Sequence, residues 1–336
     1  MSRQKCFIAS EDGLLYGTWS RSRLTVSGIE SAPPLNYLAA DWKDRRLYAT
    51  ARQEICAFDL TCDRPRFLYK VSCMGDVACH LCLSPERKHL FCANYISGNI
   101  AVFRIFDDGF GYIQSITGHG RYGSNRKRQE GPHAHYCTFI GENLWTVDLG
   151  QDSIFIFPWN GEKLGGEIGR IAFPSGSGPR HFVHDPVRDR VYCVSELSCE
   201  LFAVDVRTLC ITARIPVAGT GDALSAVRLS PDGNTIAVGI RGGDRIALID
   251  ASSLRIKDKV RPGEKCLRDF DFADRETLFV CGQESSTGSV LKLTGASIQQ
   301  IAVKKPMCVL FETKTDGGDC FIFCDCPIFD NRFPVS

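Results

Sequence analysis

Short apolar runs recur along the chain at a nearly regular interval, and their composition predicts strands. Six similar runs, of the type "RLYATA" and "HLFCAN", begin 42 to 54 residues apart. A second run, such as "EICAFDL" or "RIALIDA", begins 8 to 12 residues after the start of each. Val, Ile, Phe and Tyr are frequent in these runs and helical periodicity is scarce, which favours β-strands. The six runs start at Arg46, His89, Asn143, Arg190, Thr235 and Thr277.

Turn sequences separate many of the runs. Stretches such as "LSPERKHLF" and "LSPDGNTIAV" place proline and polar residues between two apolar segments. Proline presets one backbone dihedral of a turn, and glycine accepts the next. Strand repeats of roughly 40 to 50 residues are typical of the blades of a β-propeller.

The two ends of the chain supply the strands of one more blade. The six copies leave "KCFIAS" and "LLYGTW" at the front, and "PMCVLF" and "DCFIFCD" at the back. Joining both ends in a seventh blade closes the ring and removes exposed sheet edges. We therefore predict an all-β fold, a seven-bladed β-propeller of four-stranded antiparallel blades, with residues 1–336 as a single domain.

Composition and charge narrow the classes of partner. Hydrophobic residues make up 44% of the chain, charged residues 24%, and the net charge is +1. Such a balance gives no basic field for nucleic acid. The apolar runs are too short to span a membrane, and the N-terminus lacks the apolar core of a signal peptide. We expect a cytoplasmic monomer or weak homodimer that binds neither nucleic acid nor membranes.

The 17 cysteines raise the question of disulfides or metal. Their odd number, irregular spacing and the missing export signal argue against a disulfide framework. "CHLC" (Cys79, Cys82) and "CFIFCDC" (Cys320, Cys324, Cys326) invite a zinc interpretation. A zinc site needs four converging ligands, whereas Cys79 and Cys82 would face opposite sides of a strand. We therefore expect buried free thiols, with neither a metal nor a cofactor.

Polar side chains recur where the first strand of a hairpin starts and the second ends. These two points lie at the same edge of an antiparallel pair, so the residues should gather at one mouth of the central channel. The strand starts carry His80, His133, His135, Arg180, His181 and Arg268. The strand ends carry Arg52, Tyr95, Glu196, Arg241 and Gln283. Because the arginines outnumber the glutamate, the mouth should prefer an anionic small molecule.

These residues are not expected to share one role. The catalytic candidates are His135, Arg180, Glu196 and Arg241, and the others are candidates for substrate binding. For His80 and His181 a structural, hydrogen-bonded role is the preferred interpretation. The basic stretch Arg121, Arg126, Lys127 and Arg128 is interpreted as a solvated loop, with contact to a phosphate as the alternative.

Several motifs resemble those of a known family. "RQEGPHAHYCTF", "SGPRHFVHDP", "VYCVSELSCEL" and "VRLSPDGNTIAV" are similar to motifs of the lactonase family of seven-bladed propellers. That family includes propeller-type 6-phosphogluconolactonases and the fungal carboxymuconate lactonizing enzyme. The resemblance implies a channel-mouth site with His135 in "PHAH", Arg180 in "GPRH", Glu196 in "SEL" and Arg241 in "IRGGD". These are the four residues that the strand geometry also indicates.

The resemblance implies hydrolysis of a sugar lactone, with 6-phosphogluconolactone of the oxidative pentose phosphate route as the expected substrate. Glu196 or His135 would accept a proton from the attacking water. Arg180 and Arg241 would stabilise the oxyanion and hold the negative group of the substrate. A Gly-x-Ser-x-Gly motif is absent from the sequence, which favours direct attack by water.

Two other functions remain open at this point. A cycloisomerase acting on a carboxylated muconate would use the same basic mouth, with His135 or Glu196 handling the proton. A non-catalytic propeller would use one face of the ring as a binding platform for another protein. The converging His, Arg and Glu side chains argue against a platform as the sole role.

Overall fold

The alternation of short strands and tight turns folds each group of four strands into one antiparallel sheet. A computed structural model describes residues 3–312, which form 28 strands in seven such sheets. The sheets are the blades of a ring. The chain starts with three strands of one blade, β1 (Gln4–Ser10), β2 (Gly13–Ser20) and β3 (Arg23–Ser31).

Six blades then follow in chain order, each with its first strand innermost. Blade 1 contains β4 (Leu35–Asp41), β5 (Arg46–Ala51), β6 (Glu54–Asp59) and β7 (Arg66–Ser72). Blade 2 contains β8 (Ala78–Leu83), β9 (His89–Asn94), β10 (Ile100–Phe106) and β11 (Gly109–Ile116). Blade 3 contains β12 (Ala134–Ile140), β13 (Asn143–Asp148), β14 (Ser153–Pro158) and β15 (Gly169–Ala172).

The second half of the ring repeats this arrangement. Blade 4 contains β16 (Pro179–Asp185), β17 (Arg190–Ser195), β18 (Glu200–Asp205) and β19 (Ile211–Pro216). Blade 5 contains β20 (Ala223–Leu229), β21 (Thr235–Arg241), β22 (Arg245–Asp250) and β23 (Ile256–Val260). Blade 6 contains β24 (Leu267–Asp274), β25 (Thr277–Gly282), β26 (Thr287–Lys292) and β27 (Ser297–Ala302).

Blade 7 is built from both ends of the described chain. The last strand, β28 (Cys308–Phe311), lies innermost and pairs antiparallel with β1, so that Cys6 lies opposite Phe311. The predicted seven-bladed ring, closed by both termini, is therefore confirmed. The segment "DCFIFCD", which was expected to join this blade, lies outside the described residues.

The hydrophobic core lies between the blades. Seven clusters of buried side chains occupy the seven interfaces between neighbouring blades. The second strand of a blade is covered on both faces and reads as a nearly continuous buried run, as in β9. The outermost strand has one face in water and alternates, as in β19. This difference explains why the apolar runs of the second strands dominate the sequence pattern.

Cysteines contribute to these clusters as small apolar side chains. All 14 cysteines within residues 3–312 are free thiols, and ten of them are buried. The expectation of buried free cysteines is thus confirmed for most of the described residues. Cys320, Cys324 and Cys326 lie outside the described residues.

Candidate active site

The central channel has two different ends. We call the end at which the innermost strands begin the upper end, and the end at which they finish the lower end. The register supports the predicted meeting of strand starts and strand ends, because Pro179 pairs with Ser195 and Ala223 with Arg241. The candidate residues of the sequence are therefore found mainly around the upper end.

A β-bulge lies near the start of the innermost strand in each of blades 1 to 6. In β12, for example, Ala134 pairs with Asp148 and Tyr136 with Val147, which leaves His135 as the extra residue. A bulge inserts one residue and re-aims the side chains around it. The extra residues of five blades form what we call the bulge ring: Asn36, Cys79, His135, Arg180 and Arg268. Three of the sequence candidates thus occupy equivalent positions in different blades.

Glu196 is the electrostatic centre of the upper end. Its Oε2 lies 3.0 Å from Nε of Arg180 and 2.6 Å from Nη2 of Arg241. Its Oε1 accepts a hydrogen bond from Nη2 of Arg128 at 2.7 Å. Burial raises the pKa of Glu196, but Arg241, Arg180 and Arg128 outweigh burial and bring it to about 2. The carboxylate is therefore ionised at neutral pH, and its stabilising contribution is lost as the pH falls from 4.5 towards 2.

The turn before Arg180 explains the motif "SGPRH". Gly178 has a φ of +61°, and a Cβ atom there would lie 2.5 Å from Cγ of Leu197. The carbonyl of Gly178 accepts a hydrogen bond from the backbone of Glu196 at 2.7 Å. Arg180 is fixed in turn by a bond from its Nη1 to the carbonyl of Ser225 at 2.6 Å. Glycine at this position thus brings the arginine and the glutamate together.

Arg268 differs from the other arginines because it has no carboxylate partner among the described residues. Its side chain is half-buried, and burial together with the charge of Arg241 lowers its pKa. Burial and the charges of Arg268 and Arg241 also lower the pKa of Arg180, to about 9. Four arginines therefore surround one glutamate, and the excess positive charge is suited to an anion.

His135 lies beside this cluster as a neutral imidazole. Its ring centroid is 5.6 Å from that of Tyr95 and 5.1 Å from that of His181. Burial, followed by the charges of Arg180 and Arg268, lowers its pKa well below 6.5. Its Nδ1 is buried and has no hydrogen-bond partner within residues 3–312. Nδ1 of this ring therefore has unused hydrogen-bonding capacity.

His133 and Tyr95 form the wall next to His135. The His133 ring stacks on Tyr95 at 4.4 Å and 11°, and its Nδ1 lies 2.8 Å from the Tyr95 carbonyl. Its Nε2 lies 3.2 Å from Oε1 of Glu130. Both ring nitrogens of His133 are therefore engaged, whereas the Tyr95 hydroxyl accepts a bond from Arg128 at 3.1 Å. His133 orients the wall, and Tyr95 faces the arginine cluster.

Two further candidates lie at the rim. Arg52 is exposed, and its Nε lies 3.8 Å from Oδ1 of Asp76. Arg52 therefore pairs with Asp76 and not with Glu196. Gln283 is half-buried, and its Oε1 lies 3.7 Å from Sγ of Cys266. Burial raises the pKa of that thiol, and Arg241 and Arg268 are among the charges near it. Gln283 therefore lies closer to the arginine cluster than Arg52 does.

His80 and His181 form a layer below the bulge ring. Their ring centroids are 5.7 Å apart, although they come from blades 2 and 4. Burial lowers the pKa of both rings well below 6.5. Nδ1 of His80 accepts a bond from the backbone of Cys137 at 3.4 Å. Neither ring nitrogen of His181 has a hydrogen-bond partner within residues 3–312, so hydrogen bonding does not account for that residue.

Arg128 bonds to Glu196, whereas the sequence favours a solvated loop for its basic stretch, with contact to a phosphate as the alternative. The polar loop before His133 is anchored at several points. Nε2 of Gln129 donates to the carbonyl of Leu149 and to Oδ1 of Asp152, both at 2.8 Å. Nε2 of Gln151 donates to the carbonyl of Gly118 at 2.9 Å. The amides next to the charged run were the available signal that this loop folds back over the channel.

Two further observations on residues 3–312 concern metal ions and membranes. No group of three or more His, Cys, Asp or Glu side chains within residues 3–312 is arranged to hold a metal ion. In the same part of the chain, no helix has the length and apolar character needed to cross a bilayer.

The fold and the site together define the class of this protein. It is a seven-bladed propeller in which arginines surround a glutamate at one end of the channel. A model of the family described as "Lactonase, 7-bladed beta-propeller" matches residues 22–311, and the chain belongs to this family. The chain is 30% identical over 260 residues to the 6-phosphogluconolactonase of Bacillus subtilis, covering 70% of this chain and 74% of that protein.

Solved structures agree with the fold. A Lactobacillus plantarum protein superposes with a TM-score of 0.83 at 23% identity, over 93% of this chain and 100% of that one. The periplasmic gluconolactonase of Pseudomonas aeruginosa gives 0.81 at 20% identity, over 93% of this chain and 99% of that one. At these identities the likeness supports the architecture alone.

Proposed function

We propose that the chain hydrolyses a sugar lactone that carries an anionic group, with 6-phosphogluconolactone as the preferred substrate. The family membership supports lactone chemistry. The observation that carries the proposal is the excess of arginines around Glu196, with Arg268 near that carboxylate but in no ion pair within the described residues. A phosphate on the substrate would satisfy the unpaired positive charge.

The proposed reaction is direct attack by water on the lactone carbonyl. The water oxygen bonds to the carbonyl carbon while Glu196 accepts one of its protons. Arg180 and Arg241 stabilise the negative charge that develops on the carbonyl oxygen. The ring carbon–oxygen bond then breaks, the proton passes to the ring oxygen, and the resulting open-chain acid ionises.

A carboxylate with a pKa of about 2 is a weak base, so the ion pairs must loosen during the reaction. An anionic substrate would loosen these ion pairs, because it competes with Glu196 for the same guanidinium groups. Arg128 is the most readily displaced, since its side chain is 42% exposed and it lies on a loop. We propose that substrate binding draws Arg128 away and raises the pKa of Glu196 in the complex.

Opening of freshly made 6-phosphogluconolactone, corrected for spontaneous hydrolysis, tests this proposal. We expect rapid turnover by the wild type and a loss of about 10² to 10⁴ in Glu196→Gln, the usual contribution of a general base. Glu200→Gln is the matched control, because Glu200 is a buried glutamate of the same blade that pairs with Arg214. This control should keep the wild-type rate.

The pH dependence separates a base from a structural carboxylate. The acid limb of kcat/KM reports the free protein and should lie far below pH 4, whereas that of kcat should lie at higher pH. Folding of each variant is checked by thermal unfolding. Wild-type turnover in Glu196→Gln would remove Glu196 as the base and transfer that role to His135, and no turnover above background by the wild type would refute the assignment.

A further inference from the structure

The lower end of the channel contains a cavity that the proposed hydrolysis does not use. Its volume is about 420 Å³, within the range of small-molecule sites. It is lined by the lower halves of the innermost strands, and Arg180, Glu196 and Arg241 are not among its lining residues. His80 lies at its upper boundary, with its ring centroid 4.1 Å from that of Tyr37 and 4.0 Å from that of Tyr136.

Part of the wall of this cavity is aromatic. Tyr37, Trp42, Tyr136 and Phe182 line it from blades 1, 3 and 4. Trp42 is partly buried, and the lining residue Val187 is exposed, so the cavity is open to solvent. Aromatic faces attract both flat apolar molecules and cations.

The charges of this lower cavity are opposite in sign to those of the upper end. Arg228 is the cation that lines it, and its Nη2 lies 2.8 Å from Oδ1 of Asp269. Asp271 also lines the cavity, but its Oδ1 is 3.7 Å from Nε of Arg228, beyond hydrogen-bond distance. One arginine is thus shared by two carboxylates. Burial and the neighbouring Asp269 raise the pKa of Asp271 to about 6, although Arg228 opposes them.

Two polar groups that line this cavity have unused hydrogen-bonding capacity. Asp271 accepts a bond from the backbone of Phe272 on Oδ1, and its Oδ2 accepts no hydrogen bond from the described residues. Nε2 of His80 is buried and has no hydrogen-bond partner within residues 3–312, and the side chain is only 3% exposed. Because Nδ1 of the neutral ring accepts a bond, Nε2 carries the proton and is a donor. A ligand acceptor that pairs with His80 would remove the cost of leaving its buried donor unpaired, and a cationic group would bond to Oδ2 of Asp271.

We propose that the lower cavity is a second binding site, for a small aromatic amine that carries one positive charge. The ammonium group pairs with the carboxylate of Asp271, and the aromatic ring lies among Tyr37, Trp42 and Tyr136. An acceptor at the far end of the ligand accepts a hydrogen bond from Nε2 of His80. This site is independent of the proposed hydrolysis. Either proposal stands if the other fails.

Tyramine and tyrosol are matched probes, because they differ only in having an ammonium or a hydroxyl group at one end. Titration calorimetry at pH 7.5 should give at least tenfold tighter binding for tyramine than for tyrosol. Rising salt should weaken tyramine binding and leave tyrosol binding unchanged. Equal affinities for the two probes, or no salt effect, would overturn the proposal.

Variants place the site within the channel. Asp271→Asn should remove at least nine-tenths of the tyramine affinity while hydrolysis at the upper end stays unchanged. Asp232→Asn is the matched control, because Asp232 also lines the cavity but its carboxylate is bonded to Ser230 and Asn234. It should keep wild-type affinity. Loss of tyramine binding in Glu196→Gln but not in Asp271→Asn would place the amine at the upper end and contradict the proposal.

Discussion

The two ends of the channel are built from the same seven strands, yet they have opposite electrostatic character. At the upper end, four arginines surround Glu196. At the lower end, Asp269 and Asp271 share Arg228. The upper end therefore lowers the pKa of its carboxylate, and the lower end raises it.

The bulges explain how neighbouring residues of one strand serve such different purposes. In β24, Arg268 is the extra residue of the bulge, and Asp269 follows it directly. Without a bulge, adjacent residues would point to opposite faces of the sheet. With it, Arg268 belongs to the bulge ring while Asp269 bonds to Arg228 below. In β24, the inserted residue thus belongs to the cationic upper end and the residue after it to the anionic lower end.

At the upper end, Arg268→Gln is expected to change both substrate binding and stability. We expect KM for 6-phosphogluconolactone to rise about tenfold, since a charge-assisted hydrogen bond contributes roughly 1.5 to 3 kcal/mol. The unfolding temperature should rise as well, because burial and Arg241 disfavour this charge in the folded state. Steady-state kinetics and thermal unfolding measure the two effects.

Arg52→Gln is the matched control for that variant, because Arg52 is an arginine of the same rim that pairs with Asp76 in solvent. It should leave both KM and the unfolding temperature unchanged. An equal rise of KM in both variants would mean that the general positive field, and not Arg268, holds the substrate.

At the lower end, Asp271→Asn is expected to change stability in addition to tyramine affinity. The folded-state pKa of about 6 lies above the ordinary value of 3.8, so the folded protein binds the extra proton between these values. Stability is therefore lost as the pH rises through this window. The variant should be more stable than the wild type by roughly 1 to 3 kcal/mol at pH 8, and equal to it near pH 4.

Denaturant unfolding at the two pH values measures this difference, with Asp232→Asn as the control. A wild type that gains stability relative to Asp271→Asn as the pH rises would contradict the assigned environment of Asp271. Hydrolysis should be unaffected by either substitution at any pH.

The fold could be predicted from the sequence because each blade repeats the same apolar runs and turns. The gathering of Arg180, Glu196 and Arg241 could also be predicted, since it depends only on which strand ends lie together. The bulges could not, because a bulge depends on the pairing of two strands and leaves no mark in the apolar pattern. The hydrogen-bonded role preferred for His181 does not describe its environment either, because both of its ring nitrogens lack a partner within residues 3–312.

Two other features could not be predicted from the sequence, for a different reason. Arg128 reaches Glu196 only because Gln129, Gln151 and Asp152 hold a long loop in place, and such contacts are not local. The lower cavity depends on Arg228 of blade 5 meeting Asp269 of blade 6. These two residues lie inside strands of different blades, where a polar side chain in an alternating pattern is expected to face solvent.

The most direct test of the account is the ratio of kcat/KM for 6-phosphogluconolactone to that for unphosphorylated gluconolactone. If the arginines bind the phosphate group of the substrate, we expect a ratio of about a hundred, which should fall as salt is added. A ratio near one, insensitive to salt, would contradict the central claim that the upper end of the channel is an anion-binding hydrolytic site.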